Sequence, residues 1–485
     1  MKDKKGIVLL GLGPGDPALL TRQAWELLEQ IDEIYLRTGQ HPVAKHLPSQ
    51  LKVHTFDHLY NTYEDFEQVY EKIVEKVISL GERPQGVVYA VPGHPYVAES
   101  TCLEITRKAA DENIPLQVIE GVSFIEPVLT TLAVDPLPQL TLVDALELAF
   151  AHHPSFPPSK PALIAQLHSR EMAGELKITL MAVYPDEHPV RLVHAAGTSQ
   201  CVVEDLPLYQ IDQSEHIGLM SALYIPALEG NCSFEDFQEL VAHLRAPEGC
   251  PWDREQDHQS LRANLLEEAY EAVEAIDADD PEAMQEEFGD LLLQVVLQSQ
   301  IAAEYGEFMM ADVIRDIHTK LVSRHPHVFE DTDLADSEAV IRNWERMKEQ
   351  ERLKKSDMEK GLLDGIPVAM PALLVADNYQ RRAARVGFDW PDIEGVIDKL
   401  LEEVEEYRQA KSGKQKEEEF GDMLFALVNL ARWLDIDPET ALRETNAKFR
   451  QRFAIIEAAA REKGRHLSEL SLEEMEAIWQ QSKGN

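Results

Sequence analysis

The chain has 485 residues, enough for about two to four domains. Hydrophobic residues make up 44% and charged residues 27%, values that exclude wholesale disorder and fibrous repeats. The 87 acidic residues against 46 basic ones leave a net charge of -41, which repels nucleic-acid polymers and anionic membrane surfaces, although solubility alone also accounts for such an excess.

From the N-terminus, Ile7 to Leu10 predicts a buried strand that runs into Gly-Leu-Gly-Pro-Gly-Asp, with helical periodicity over 19–28. The opening apolar run enters this turn rather than a cleavage site, so it is not read as a leader. Val87 to Val91 predicts a second strand, followed by Pro92-Gly93-His94-Pro95 and a helix over 99–111. A third strand, Leu116 to Ile119, meets Gly121-Val122-Ser123. Strand, glycine turn and helix in alternation predict an α/β domain on a mainly parallel sheet. Further strands are predicted at Ala162–Leu167, Lys177–Val183 and Gln200–Leu206, with the Pro-rich stretch His152–Pro161 dividing two lobes.

Past about Asn231 the strand signals stop and Leu, Ala and Glu recur at helical spacing, so the rest of the chain is predicted to be helical, with the boundary at 222–233. The acidic excess leans toward this half. Cys102, Cys201, Cys232 and Cys250 follow no disulfide or zinc spacing, and no apolar stretch of about 20 residues exists to cross a bilayer; a cytoplasmic protein is expected.

The helical half repeats itself. Leu265-Leu266-Glu267-Glu268-Ala269-Tyr270-Glu271 is echoed by Leu400-Leu401-Glu402-Glu403-Val404-Glu405-Glu406, and Glu287-Phe288-Gly289-Asp290 by Glu419-Phe420-Gly421-Asp422. Lys320 and Arg324 correspond to Lys448 and Arg452, and Trp344 to Trp479. On a helix Glu268 and Glu271 share a face, as do Glu287 and Asp290 on the next. Turns at DADDPE and at Ser412-Gly413 let each helix pair lie antiparallel, and Gly289 and Gly421 are expected to let the helices approach. Four carboxylates would then converge. Such clustering needs a positive charge between them, and an all-oxygen set without His or Cys favours Mg²⁺ or Mn²⁺ over zinc. Lys399, Lys448 and Arg452 are candidates to hold phosphates, and Trp479 to stack on a base. Solvated Glu-rich faces, surface salt bridges and a core aromatic are the plainer readings of the same residues.

Residues 240–485 resemble the MazG family of nucleoside triphosphate pyrophosphohydrolases through LRAPEGCPWDREQDHQSLRANLLEEAYE, EEFGDLLLQVV, RRAARVGFDW, LLEEVEEYRQA, EEEFGDMLFALVNLARWL and NAKFRQRF. The resemblance implies an all-α homodimer that hydrolyses NTPs to NMP and pyrophosphate with Mg²⁺. It implies Glu403, Glu406, Glu419 and Asp422 as metal ligands, Glu402 and Glu418 as supporting groups or bases, and Lys399, Lys448, Arg452 and Trp479 as nucleotide contacts. In two-repeat members the C-terminal copy is typically the active one. Here Lys399 is matched by Asn264 in the first copy, and Phe449 by Leu321, while the ligand set Glu268, Glu271, Glu287 and Asp290 is intact.

Residues 1–222 resemble the tetrapyrrole (corrin/porphyrin) methylases through GLGPGD at 11–16, PGHP at 92–95 and GVSF at 121–124. This implies S-adenosylmethionine (SAM) bound near Gly11, Gly13, Pro14, Gly15, Asp16, Pro92, Gly93, His94, Gly121 and Ser123. His94 stands where that family carries Asp. The expected architecture is therefore multidomain: an α/β methylase-like domain (1–222), then an all-α region of two MazG repeats (233–356 and 362–485). The expected activity is NTP pyrophosphohydrolysis, with SAM-dependent methyl transfer by the first domain. Methyl transfer as the physiological reaction, or nucleotide sensing without turnover, are the alternatives. A small-molecule NTP is the expected partner, with no nucleic-acid polymer and no membrane.

Overall fold

The computed structural model describes residues 5–63, 65–330, 361–367 and 369–483, together with 340, 343 and 347. The chain divides into two compact units, Met1–Asp316 and Ile317–Asn485. Trp344 and the end of the expected first repeat lie outside the described residues.

The first unit begins with a five-stranded sheet made of β1 (Ile7–Gly11), β2 (Glu33–Leu36), β3 (Lys52–Thr55), β4 (Val87–Val91) and β5 (Leu116–Ile119). Their order is β3-β2-β4-β1-β5 and every pairing is parallel. Period-two alternation sends successive side chains to opposite faces. Ile7, Leu9, Val87, Tyr89 and Val91 pack with α3 (Phe66–Gly81) and α4 (Ser100–Asp111). Leu10, Ile34, Leu36 and Ala90 pack on the other face with α1 (Arg22–Leu28); the short α2 (Asp57–Tyr60) follows β3. After α5 (Ile125–Leu132), a second sheet is built from β6 (Thr141–Asp144), β7 (Ala162–Ala165), β8 (Pro189–His194), β9 (Val202–Pro207) and β10 (Ser221–Ile225), in the order β6-β7-β10-β8-β9. Only β6 and β7 run parallel; the other pairs are antiparallel.

Two expectations are corrected here. Lys177–Val183 is not a strand, because it continues α7 (Arg170–Met181). The Ser169 hydroxyl accepts the Met172 N–H at the helix start, and Ala173, Leu176, Thr179 and Leu180 bury one helical face. The β-branched residues Ile178, Thr179 and Val183 gave a misleading strand signal. Nor does His152–Pro161 separate the lobes. It lies between α6 (Ala145–Ala149) and β7, with Phe156 buried in the second core, while the first sheet ends at Ile119 and the second starts at Thr141. The last strand runs to Ile225, three residues beyond 222, because Leu223 and Ile225 complete that core.

The remaining described residues are mainly helical: α8 (Phe234–Arg245), α9 (Pro251–Glu255), α10 (Arg262–Asp277), α11 (Pro281–Tyr305), α12 (Met310–Arg324), α13 (Pro326–Phe329), α14 (Ala372–Arg385), α15 (Ile393–Gln409), α16 (Gly413–Trp433), α17 (Pro438–Glu462) and α18 (Leu472–Ser482). The two acidic segments form the helix pairs α10/α11 and α15/α16. Asp280 caps α11 by accepting the Glu282 and Ala283 N–H groups, with Pro281 in the first turn and Asp279 at φ 52° completing the reversal. Ser412 and Gln415 form a reciprocal capping box at the start of α16. Among the described residues no helix is long and apolar enough to cross a membrane.

Glycine has opposite meanings in the two halves. A Cβ on Gly11 would sit 2.5 Å from the Gly121 nitrogen and 2.6 Å from the Gly93 oxygen, so the three strand-end loops meet backbone on backbone. A Cβ on Gly289 or Gly421 would meet nothing within 4 Å, so these glycines do not serve the helix approach expected of them. Accordingly, Gly11→Ala should destabilise the first unit by about 2–4 kcal/mol. Gly421→Ala should stabilise α16 by about 0.5–1 kcal/mol. Urea unfolding followed by circular dichroism checks both; a destabilising Gly421→Ala would mean that its open face is covered in solution.

Candidate functional site

In the second helix pair, Glu403 and Glu406 lie one turn apart on α15, and Glu419 faces them from α16. One oxygen from each lies within 4.8 Å of the others. Glu403 is only 5% exposed. Its Oε1 accepts an ion-paired contact from Lys399 Nζ at 2.8 Å, and the same Nζ reaches Glu402 Oε1 at 3.0 Å, which holds the lysine above its ordinary pKa. The Glu419 carboxyl is likewise pushed up, by burial first and then by the charges of Glu406, Glu403, Asp422 and Glu418. Asp422 is close enough to be felt but is not part of the converging trio. Glu418 pairs with Lys414 at 3.7 Å on the exposed side of α16.

The first helix pair brings together Glu268, Glu287 and Asp290, again within 4.8 Å, and leaves Glu271 outside the trio. Glu268 is raised by burial, then by Asp290, Glu271, Glu287 and Glu267; Glu287 is raised by burial, then by Glu271, Glu286 and Asp290. This trio makes no ion pair among the described residues. Both clusters suit a hard divalent cation: the donors are all carboxylate oxygens, and their spacing matches opposite ligands at about 2.1–2.4 Å from one centre.

The other predicted contacts lie in the C-terminal hairpin. Lys448 pairs with Glu444 at 3.6 Å on its own helix, Arg452 stacks over the Trp479 ring at 5.6 Å, and Trp479 packs against Phe449 at 5.2 Å. Trp479 also touches the cluster of Ile456, Ala460 and Leu470. Among the described residues no hydrogen bond or ion pair joins Lys448 or Arg452 to the carboxylate trio.

In the first unit the three loops do meet. Gly13 N–H donates to the Gly93 carbonyl at 3.2 Å and Gly93 N–H to the Gly13 carbonyl at 2.8 Å. Gly121 lies against both Gly93 and Gly11. Gly15 packs beside Thr198 and Met220, and the Pro14 ring meets Gly197. Asp16 accepts the Ala18 N–H, His94 Nδ1 accepts the Tyr96 N–H at 3.0 Å beside half-buried Pro92, and the Ser123 hydroxyl donates to Glu126. Loop-to-loop packing thus accounts for most of these residues without a ligand.

Beside the loops lies a group that the sequence reading missed. Arg37 Nη1 pairs with buried Glu99 at 2.9 Å, and Thr101 donates to Glu99 at 2.6 Å while bonding Tyr89 at 3.0 Å. Arg37 Nε and both ring nitrogens of His41 are buried without a well-formed hydrogen bond. Burial lowers the His41 pKa to about 4 against the pull of the Gly13 backbone, with Arg37 adding to the lowering, so the ring is neutral at pH 7. Orphaned buried polar atoms next to Gly13 suit a polar ligand at the strand ends. Both residues follow β2, a strand too short for the periodicity to reveal, and recognising it would have put them on the loop side of the sheet.

Residues 256–329 match the MazG nucleotide pyrophosphohydrolase domain family, and residues 6–212 match the Tetrapyrrole (Corrin/Porphyrin) Methylases. The chain is 40% identical to uncharacterized protein YabN of Bacillus subtilis, over 98% of both chains. It is 45% identical to the nucleoside triphosphate pyrophosphohydrolase/pyrophosphatase MazG of Thermotoga maritima, over 53% of this chain and 98% of that protein. Among solved structures, the uroporphyrin-III-C-methyltransferase of Thermus thermophilus aligns at 17% identity and a TM-score of 0.35, covering 46% of this chain and 93% of that one.

The raised Glu419 carboxyl gives a pH test. Folding holds its proton more tightly than the unfolded chain does, so the metal-free protein loses stability as pH rises through the folded pKa and regains it as pH falls toward the unfolded value. Glu419→Gln should raise the melting temperature in EDTA at about pH 7.5 and change little at about pH 3, well below the unfolded pKa, where both states are protonated. A lower melting temperature at the higher pH would contradict the repulsion.

Proposed function

The chain belongs to the family that joins a tetrapyrrole methylase domain to a MazG nucleotide pyrophosphohydrolase domain, and from that premise we propose that its helical half hydrolyses nucleoside triphosphates to monophosphate and pyrophosphate. The observation that carries this reading is the duplicated carboxylate trio, with one member buried. Three acidic groups held this closely serve a bound cation better than they serve an exposed helix face.

Glu403, Glu406 and Glu419 would hold Mg²⁺ or Mn²⁺, with Asp422 completing the set. The ion would supply charge neutralisation on phosphate oxygens and a more acidic water. Glu402 and Glu418, adjacent in sequence to Glu403 and Glu419, are the further carboxylates that would take up the water's proton. Lys399, Lys448 and Arg452 would bind the triphosphate, the first from the acidic helix and the others from α17. Trp479 already stacks on Arg452, so a base would have to share that platform with the guanidinium. The reading assigns catalysis to 362–485, with 233–356 as its non-identical copy, in a chain suited by its free cysteines to a reducing cytoplasm. A homodimer is supported by the apolar side chains that the helices leave uncovered, among them Leu401 at 61% and Phe420 at 52% exposure.

A second reading concerns the first domain, and the buried, unpartnered atoms of His41 and Arg37 favour it. They would contact SAM at the loop cluster, where Gly13 and Gly93 hold the strand ends together. Calorimetric titration of the full chain with SAM should give a binding isotherm that Arg37→Met abolishes. No heat with the unsubstituted protein would remove this reading.

For the hydrolase reading, pyrophosphate release across the four ribonucleoside triphosphates is followed with added inorganic pyrophosphatase and phosphate detection. Glu403→Ala and Asp422→Ala should each lower the rate about 100-fold or more, while Glu268→Ala leaves it within about three-fold. Nucleotide binding without turnover in the unsubstituted protein would make the region a sensor instead.

A further inference from the structure

We infer that Lys399 is a resident counter-cation which a divalent ion must displace from Glu403, so that the second copy takes its metal first and its nucleotide afterwards. The inference rests on the reading of Glu403, Glu406 and Glu419 as the metal site.

The argument starts from burial. Glu403 is 5% exposed and shares its surroundings with two further carboxylates within 4.8 Å. A carboxylate taken from water among like charges is strongly unfavourable unless a cation offsets it. Among the described residues Lys399 is the cation that reaches it, at 2.8 Å, with a second contact to Glu402 at 3.0 Å. The pair runs with lysine N-terminal to glutamate, the weaker orientation on a helix, so ordinary helix electrostatics do not explain its place. The lysine side chain remains 37% exposed, which leaves a long, flexible arm free to swing outward.

Lys399 Nζ, 2.8 Å from Glu403 Oε1, therefore sits on a carboxylate of the converging trio. An ammonium and a divalent ion on that one carboxylate repel each other at close range, and the doubly charged ion is the stronger competitor for it. Metal binding therefore releases Lys399, and the freed ammonium becomes a donor for the phosphates that arrive with the nucleotide. Without metal the lysine is engaged, and the nucleotide lacks that contact.

The first copy supplies an internal control. Asn264 occupies the place of Lys399, and Glu268, the counterpart of Glu403, makes no ion pair among the described residues. One chain thus carries the same acidic frame with and without a built-in cation.

The test is Mn²⁺ binding to the full chain, without nucleotide, followed by electron paramagnetic resonance, with melting temperature in EDTA as a second readout. In an E268Q/E287Q background that silences the first copy, K399M should bind Mn²⁺ about ten-fold more tightly and melt lower in EDTA, whereas K399R should restore the starting values. Unchanged or weaker Mn²⁺ binding in K399M overturns the exchange. The reciprocal graft, N264K in an E403Q/E419Q background, should weaken first-copy Mn²⁺ binding about ten-fold; an unchanged affinity there also overturns it, and does not depend on K399M folding. E403Q in the E268Q/E287Q background keeps the premise separate. Mn²⁺ retained at full affinity in that protein overturns the metal site itself, whereas loss there with no effect of K399M overturns only the exchange.

Discussion

Repulsion between carboxylates is the constraint on which the helical half turns. Glu403, Glu406 and Glu419 are driven together by the packing of α15 on α16, and Glu268, Glu287 and Asp290 by the packing of α10 on α11. Asp290 and Glu406 are exposed and can swing outward, but Glu403, at 5% exposure, is held in place between the helices. The capping of α11 by Asp280 and of α16 by the Ser412–Gln415 box fixes where each second helix starts, and hence which of its turns faces the first. Local hydrogen bonds at two short reversals thereby set the position of charges about two to three turns away.

The first unit depends on contact of another kind. Its strand ends are held by the glycine backbone itself, Gly11 against Gly121 and Gly13 against Gly93, and the second lobe packs Gly197 and Thr198 onto the same loop. Glycines that suggest a ligand cradle are therefore first of all the condition for closing the loops on each other. The polar atoms left unsatisfied lie next to that closure, at His41 and Arg37. Packing accounts for the loop motif, and ligand chemistry is sought in the residues beside it.

Much of this was legible because it is written as spacing. The order of the three glycine loops, the change of texture near Asn231 and the doubled acidic pattern all depend on residue type and interval alone. Features that depend on rotation or long-range packing were not legible. Spacing placed four carboxylates per copy on facing helices, but helix rotation selects Glu403, Glu406 and Glu419 in one copy and Glu268, Glu287 and Asp290 in the other. The sequence 177–183 reads as a strand by its β-branched residues and is a helix because Ala173, Leu176 and Leu180 have a core to fill. Trp479 was read as a base platform, yet Phe449 and Arg452 already flank it. Gly421 was read as a contact residue and faces open space.

The net charge of -41 takes on a different meaning through Lys399. A chain so acidic ought to reject a triphosphate, and three of the cations in its C-terminal half are held in pairs: Lys399 with Glu402 and Glu403, Lys414 with Glu418, Lys448 with Glu444. Each pair hides a positive charge that a phosphate would need. The exposed pairs are weak and open readily, whereas the one on buried Glu403 opens only when another cation replaces the lysine. On the exchange inferred for Lys399, affinity for phosphate in this half would be conditional on the divalent ion twice over, through the charge the ion brings and through the lysine it sets free. An acidic protein that works by such an exchange would exclude polyanions that arrive alone and admit a nucleotide only where the metal had already been seated.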